Sequence, residues 1–217
     1  MRSWIDGSRC KLAFNPAHLQ MIPNFISPQE SLQLTALMDA KLDRLCRSYQ
    51  SSHFDSVIHG YREASISDWD ITGNTLPSQI LQRLVRKVNL EHEQWTTPHV
   101  LDLKDAQSGI KAHVDHTTAS GSIIMGICLL SPAVMIFRHV KDPSSYFQVL
   151  LEPNCAYIQR YCLHDQLIVR DDVRYNYTHE IPSGDDHTFN GQLIPRQRRL
   201  ALLLRNQYQP GMQKPSE

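Results

Sequence analysis

The sequence predicts a mainly β protein with flanking helices, built as a closed or double-sheet β domain resting against two helices. Three observations carry that reading. Two helix-length amphipathic stretches occupy the first half of the chain, about nine short apolar or alternating runs follow Pro98, and Gly, Pro, Asp and Asn separate many of those runs. At 217 residues, 41% of them hydrophobic, the chain has the size and composition of one domain with its own core.

Residues 1–21 form an N-terminal segment, expected to be a targeting sequence or disordered. MRSWIDGSRCKLAF lacks the apolar centre of a secretory signal; Arg2, Arg9 and Lys11 lean towards a mitochondrial leader, and Asp6 leans against one. The domain proper is expected over 22–208, with helices within 27–92 and the β core over 98–208. Its first helix opens on Ser27-Pro28-Gln29-Glu30, a capping box with proline at the first helical position. Leu34, Leu37, Met38, Leu42 and Leu45 recur at helical spacing and carry it to about residue 47. Residues 48–77 are polar with interspersed aromatics (Tyr49, Phe54, Tyr61, Trp69) and read as loop with short pieces. A second helix is expected over 78–92, with Ile80, Leu81, Leu84, Val85 and Val88 on one face. The strand-like runs are HVLDL, GIKAHVDH, SGSIIMGICLL, AVMIFRHV, YFQVLLE, CAYIQRY, QLIVR, YNYTHEI and RLALLLRNQ, and the tail 209–217 is expected to be disordered.

Composition removes several classes of function. Twenty-two basic and 22 acidic residues give a formal net charge of zero, which argues against gripping nucleic acid through bulk charge. Cys10, Cys46, Cys128, Cys155 and Cys162 are irregularly spaced without a CxxC pair, so neither a disulfide framework nor a thiolate zinc site is expected. No apolar run reaches the ~18 residues of a membrane span.

The chemistry gathers around GIKAHVDHTTASG. Residues two apart on a strand face the same side, so His113 and Asp115 are expected to point together. Two imidazoles and one carboxylate on one face make the iron(II) site that leaves three coordination positions open. His179 in YNYTHEI is the best third ligand; His116, His139, His164 and His187 are weaker candidates, being next to the motif, on separate strands or in loops. HxD with a later histidine is a weak signal by itself, since strand histidines are more often hydrogen-bonded core residues. The last strand adds to it. Arg199 and Arg205 are six apart, hence on one face with Ala201 and Leu203, and span about 20 Å. Arginines on the inner face of an apolar strand are costly unless an anion meets them, and a short dicarboxylate fits between two guanidinium forks.

The order HxD, then H, then RxxxxxR resembles the AlkB branch of the Fe(II)/2-oxoglutarate dioxygenases. FDSVIHGYRE, HVLDL, IKAHVD, LLSPAVM, LLEP, YNYTHEI and IPRQRRLALLLR most resemble the AlkB homologue seven type, over residues 22 to 208. The resemblance implies a double-stranded β-helix (jelly roll, cupin-like) core, with His113, Asp115 and His179 as iron ligands. It implies Arg199 and Arg205 as 2-oxoglutarate-binding residues, with Leu200 and Ala201 beside the first and Tyr157 in contact with the same co-substrate. Fe(II), 2-oxoglutarate and dioxygen follow as cofactor and co-substrates, and the mitochondrial matrix as the location. About ten extra residues around CLHDQLIVRD separate Tyr157 from His179 where relatives have a short turn, which bears on the register of Tyr157.

The implied reaction hydroxylates or oxidatively demethylates a macromolecule, with release of succinate and CO2. Residues 48–77 offer Arg62 as their one cation against Asp55, Glu63, Asp68 and Asp70, and their aromatics are expected to pack the loop rather than stack bases. A protein side chain or a methylated base in structured RNA is therefore expected as substrate, duplex DNA is not, and the enzyme is expected to be a monomer. The alternative is a non-catalytic partner-binding protein that retains the fold. A cupin-like module with another chemistry leaves the arginine pair unexplained.

Overall fold

In the computed structural model, which describes residues 3–11, 18–53, 55–116, 120–160 and 173–208, the architecture is two facing six-stranded antiparallel sheets with two helices against one of them. Strands are numbered in chain order. Sheet I runs β2 (Leu19–Ile22), β10 (Ala156–Arg160), β7 (Ile123–Leu130), β14 (Arg199–Arg205), β5 (His99–Leu103) and β4 (Tyr61–Ser65). Sheet II runs β1 (Ile5–Asp6), β9 (Tyr146–Leu151), β8 (Ala133–His139), β11 (Tyr177–Ile181), β6 (Gly109–His113) and β3 (Ile58–His59). A small hairpin, β12 (Thr188–Phe189) with β13 (Gln192–Leu193), brings Phe189 to the outer side of sheet II, where it joins Val134, Ile136 and Leu150.

Side-chain alternation sorts residues between the two interiors. On β14, Leu200, Leu202 and Leu204 enter the core shared with the helices, while Ala201 and Leu203 enter the core between the sheets. The neighbouring β7 does the same, with Met125, Ile127 and Leu129 on the helix side and Cys128 between the sheets. Both faces are covered, so both strands read as unbroken apolar runs. Sheet II closes the inner core with Met135, Phe137, Phe147, Val149 and Tyr177; the Phe137 and Phe147 rings stack at 4.8 Å.

The first helix, α1 (Pro28–Leu45), starts on its capping box. The Ser27 hydroxyl accepts from the Glu30 amide at 3.2 Å, and the Glu30 carboxylate accepts from the Ser27 amide at 2.9 Å. Arg83, on the second helix, donates to the same carboxylate at 2.6 and 3.1 Å, and chiefly through that contact the pKa of Glu30 falls to about 2. That helix, α2 (Leu76–Lys87), is shifted from the expected 78–92. Thr75 caps it, its hydroxyl accepting from the Ser78 amide, with Pro77 in the first turn where no amide donor is needed. It stops at Lys87 because Asn89 turns left-handed at φ 56° and the Leu90 amide reaches back to the Val85 carbonyl at 3.0 Å.

Residues 48–77 carry more structure than their polarity suggested: β3, the five-residue β4 and a 3-10 turn at Ser67–Trp69. Tyr61 and Trp69 are buried there, so these two aromatics do pack, as expected. The N-terminal segment supplies two edge strands that the sequence reading did not foresee, β1 against β9 and β2 against β10. No disulfide joins Cys10, Cys46, Cys128 or Cys155, and among the described residues no helix is long and apolar enough to cross a membrane. The expected strand QLIVR, most of the extra residues around CLHDQLIVRD, the tail 209–217, and Phe54, Cys162 and His164 lie outside the described residues.

On the helix side, one carboxylate ties four segments together. Asp102 of β5 is fully buried and accepts from Arg62 Nε of β4 at 2.8 Å, Tyr49 Oη at 2.9 Å, and Arg198 Nε and Nη2 at 3.0 and 2.8 Å. The outer nitrogens of the two arginines reach α1, Arg62 to Asp43 at 2.6 Å and Arg198 to Asp39. Asp102→Ala is expected to destabilise the protein by about 3–5 kcal/mol, because two guanidinium groups would be left without their central counter-charge. The urea midpoint measures it, and a shift equivalent to under about 1 kcal/mol would contradict the account.

Candidate active site

Between the sheets, at the end where β6 and β11 meet β14, three side chains converge. His113 ends β6 and pairs in register with His179 on β11, which sets their rings 4.3 Å apart. Between His179 and Ile181 the pairing slips by one residue, so that Ile181 faces Ile110. That bulge changes the parity of β6: Ile110 and His113, three apart in sequence, both line the same cavity. Asp115 is not on the strand, contrary to the expectation that parity would align it with His113. The strand stops at His113, and the carboxylate is placed from the segment that follows. Its Oδ1 lies 3.1 Å from His113 Nε2 and 3.5 Å from His179 Nε2, while its Oδ2 accepts from Arg205 Nε at 3.1 Å.

One ligand atom from each of the three residues lies within 4.8 Å of the others, and this is the only such group of metal-capable side chains among the described residues. The donor chemistry fits a cation. His113 Nδ1 donates to the Lys111 carbonyl at 2.9 Å, so Nε2 faces the Asp115 oxygen either with a second proton or with a shared cation between them. Cis ligands about 2.1 Å from a metal stand about 3 Å apart, close to two of these separations. Burial pushes the pKa of His179 down to about 4, so its ring is neutral at physiological pH, as a ligand must be. Burial also opposes charge on Asp115, but the hydrogen bond from His113 and the neighbouring Arg205 guanidinium hold its carboxyl well below the usual range. The backbone is braced as well: the fully buried Arg174 donates to the Asp115 carbonyl at 3.1 Å and to the Ser120 hydroxyl at 3.1 Å.

The cavity continues from these residues along the inner face of β14. Arg199, Ala201, Leu203 and Arg205 all line it, as their even spacing predicted, and so does Tyr157 on β10. Leu200 points away into the helix-side core and does not line it. Arg199 is almost completely buried; its Nη2 meets the Cys128 sulfur at 3.4 Å and its Nε has no partner. Beside the cavity a wider cleft of about 640 Å³ opens over His113, Asp115 and Arg205.

The chain is similar to known proteins over most of its length. Over 186 residues the chain is 34% identical to the mouse alpha-ketoglutarate-dependent dioxygenase alkB homolog 7, mitochondrial, covering 85% of this chain and 76% of that protein. The bovine protein of the same name is 31% identical over 211 residues, covering 94% and 86%. The chain belongs to the AlkB homolog 7 family of α-ketoglutarate-dependent dioxygenases. Among solved structures, OsALKBH1 matches with a TM-score of 0.59 at 13% identity, covering 87% of this chain and 97% of that one. A Trichoplax adhaerens prolyl hydroxylase in complex with a hypoxia inducible factor peptide fragment matches at 0.54 and 11%, covering 87% and 84%. At such identities the likeness is one of fold, the jelly roll of 2-oxoglutarate dioxygenases. No protein-family model matches the chain.

Within this AlkB homolog 7 relative, the other histidines go elsewhere. His139 is buried on β8 and its Nδ1 accepts from the Lys141 and Asp142 amides, His187 lies beside Arg196, and His116 borders the outer cleft. Sequence reasoning missed Arg174, whose partners include the Asp115 and Gly121 carbonyls and the Ser120 hydroxyl, all distant in sequence, and Gly126. Gly126 faces Tyr157 across the β7–β10 pair, and a Cβ there would stand 2.3 Å from Tyr157 Cε1. The bare backbone is therefore the seat of the tyrosine ring. Gly126→Ala is expected to cost about 1–3 kcal/mol by forcing the ring aside. Combined with Tyr157→Val it is expected to cost less than the sum of the two single changes. Denaturant midpoints of the three variants check this, and strict additivity would refute it.

Proposed function

We propose that His113, Asp115 and His179 hold Fe(II), that Arg199, Arg205 and Tyr157 with Ala201 hold 2-oxoglutarate, and that the enzyme hydroxylates or oxidatively demethylates a macromolecular substrate in the mitochondrion. The observation that carries the co-substrate assignment is Arg199. A His–Asp–His cluster suits several metals, but a buried guanidinium with an unpartnered Nε and no carboxylate partner among the described residues calls for an anion in the adjoining cavity.

When bound, iron and 2-oxoglutarate together supply oxidative decarboxylation to succinate and CO2 coupled to hydroxylation of a substrate C–H bond, and an N-methyl group so hydroxylated leaves as formaldehyde. The protein's part is placement. Arg205 occupies one oxygen of Asp115 and so turns the other towards the two imidazoles. Arg199, at the far end of β14, anchors a distal carboxylate, and Tyr157 and Ala201 border the space between. Ile58, Ile110, Met135 and Leu203 give the cavity apolar walls that limit water around the reacting atoms.

The substrate enters from the open cleft. Arg62, the one cation of residues 48–77, is committed to Asp102 and Asp43, and Tyr49 to Asp102, which leaves them unsuited to clamping a duplex. The mitochondrial names of both curated relatives support the location. A non-catalytic binding protein of the same fold would have no use for Arg199 as it stands.

Anaerobic addition of Fe(II) and 2-oxoglutarate to the metal-free protein is expected to raise the weak visible charge-transfer band of the chelate. Asp115→Ala is expected to abolish the band, and Arg199→Ala to demand about tenfold or more 2-oxoglutarate for it, the worth of a charge-assisted hydrogen bond. No band in folded parent protein would refute the proposal.

A further inference from the structure

Register places a second functional feature on the inner face of sheet I, outside the metal cluster. Glu63 on β4 pairs with Leu101 on β5, which pairs with Ala201 on β14; in the next row Ser65 pairs with His99 and His99 with Leu203. Side chains in these rows share a face, so Glu63 and His99 look inward with Ala201 and Leu203, displaced towards the edge of the sheet. There they border the cleft that opens over His113, Asp115 and Arg205.

Two imidazoles converge on the Glu63 carboxylate. His99 Nε2 lies 3.0 Å from its Oε2 and His53 Nε2 3.5 Å from its Oε1, while His53 Nδ1 meets Asp55 at 2.8 Å. Burial opposes charge on Glu63, yet these histidines keep its pKa below the ordinary value. A carboxylate offers about four lone-pair directions, so two contacts leave it able to accept more. The charge around it is one-sided. Asp55, Glu63 and Asp115 border the cleft, against Arg205 as the one Lys or Arg among its described lining residues, and Arg205 is bound to Asp115. A phosphodiester chain laid here meets carboxylates where it needs cations, whereas an ammonium or guanidinium group finds an ionised, half-buried partner on the way to the metal cluster.

We infer that Glu63, flanked by His53 and His99, is the recognition site for a cationic side chain of a protein substrate, a lysine, an arginine or an N-methylated form of either. This rests on the dioxygenase reading of the adjoining site and names the substrate class that reading leaves open. Glu63 receives the positive charge, His53 and His99 hold its carboxylate in the cleft, and the carbon to be oxidised lies beyond it, towards Asp115.

The test uses the full chain with Mn(II) in place of iron and saturating 2-oxoglutarate. The probes are short fluorescein-labelled peptides in a Gly/Ser context that differ only at a central lysine, trimethyl-lysine or norleucine, and a labelled single-stranded RNA with one 1-methyladenosine. Fluorescence polarisation is expected to give tighter binding of both cationic peptides than of the norleucine peptide. Glu63→Gln is expected to remove about tenfold or more of that affinity while forming the anaerobic Fe(II)·2-oxoglutarate band as the parent does. Equal binding of lysine and norleucine peptides, no binding of either cationic peptide, undiminished binding in Glu63→Gln, or preferential binding of the RNA would each overturn the inference. The comparison of lysine with norleucine on the parent protein decides the matter even if Glu63→Gln fails to fold. Absence of the chelate band from the parent is a failure of the dioxygenase site and is read separately.

Discussion

Strand β14 has to satisfy two interiors at once, and that constraint organises the molecule. Its even-numbered leucines close the core under the helices, and its odd-numbered residues face the other sheet. A strand buried on both faces tolerates polar atoms only where something answers them, and RLALLLR answers them at its two ends. Arg205 meets Asp115, and Arg199 meets a sulfur and lines the cavity between the sheets. The distance between the ends of the site is thus a strand length, fixed by backbone hydrogen bonds to β7 and β5 rather than by any loop.

Adjacent arginines on this stretch illustrate how alternation separates structural from chemical charge. Arg198 turns to the helix side and is spent on Asp102 and Asp39; Arg199, the next residue, turns inward and keeps unused hydrogen-bonding capacity. The Asp102 network is complete within the chain, whereas Arg199 Nε has no partner and its Nη2 meets only a sulfur. A buried polar group left unsatisfied in a native structure asks for an explanation in terms of ligand or strain, and the proposed co-substrate is the simpler account beside the His–Asp–His group.

Much of this was legible in the sequence because it rests on short-range rules. The capping box at Ser27 and Glu30 is a four-residue pattern, and the inward pair of Arg199 and Arg205 is simple parity on a long strand. What escaped depends on pairing between distant segments. YREAS has no apolar alternation and becomes β4 because β5 offers it an edge. The bulge opposite His179 reverses the parity of β6, and Asp115 lies past the end of the strand, so the expected pairing of His113 with Asp115 came true through a different geometry. The second helix was misjudged at its end because Val88 continues its apolar face while Asn89 has already turned left-handed.

The seat of Tyr157 has an evolutionary consequence. A methyl group at position 126 would fall 2.3 to 2.7 Å from three atoms of the tyrosine ring and hydroxyl, so the two positions share one volume across neighbouring strands. Bulk added at 126 alone displaces the ring at 157, at a cost of about 1–3 kcal/mol. A side chain at 126 is accommodated more cheaply after the residue at 157 has become smaller than before, when it must force the ring aside. Positions 126 and 157 therefore draw on one shared volume, and added bulk at the first is favoured where the ring at the second has been lost.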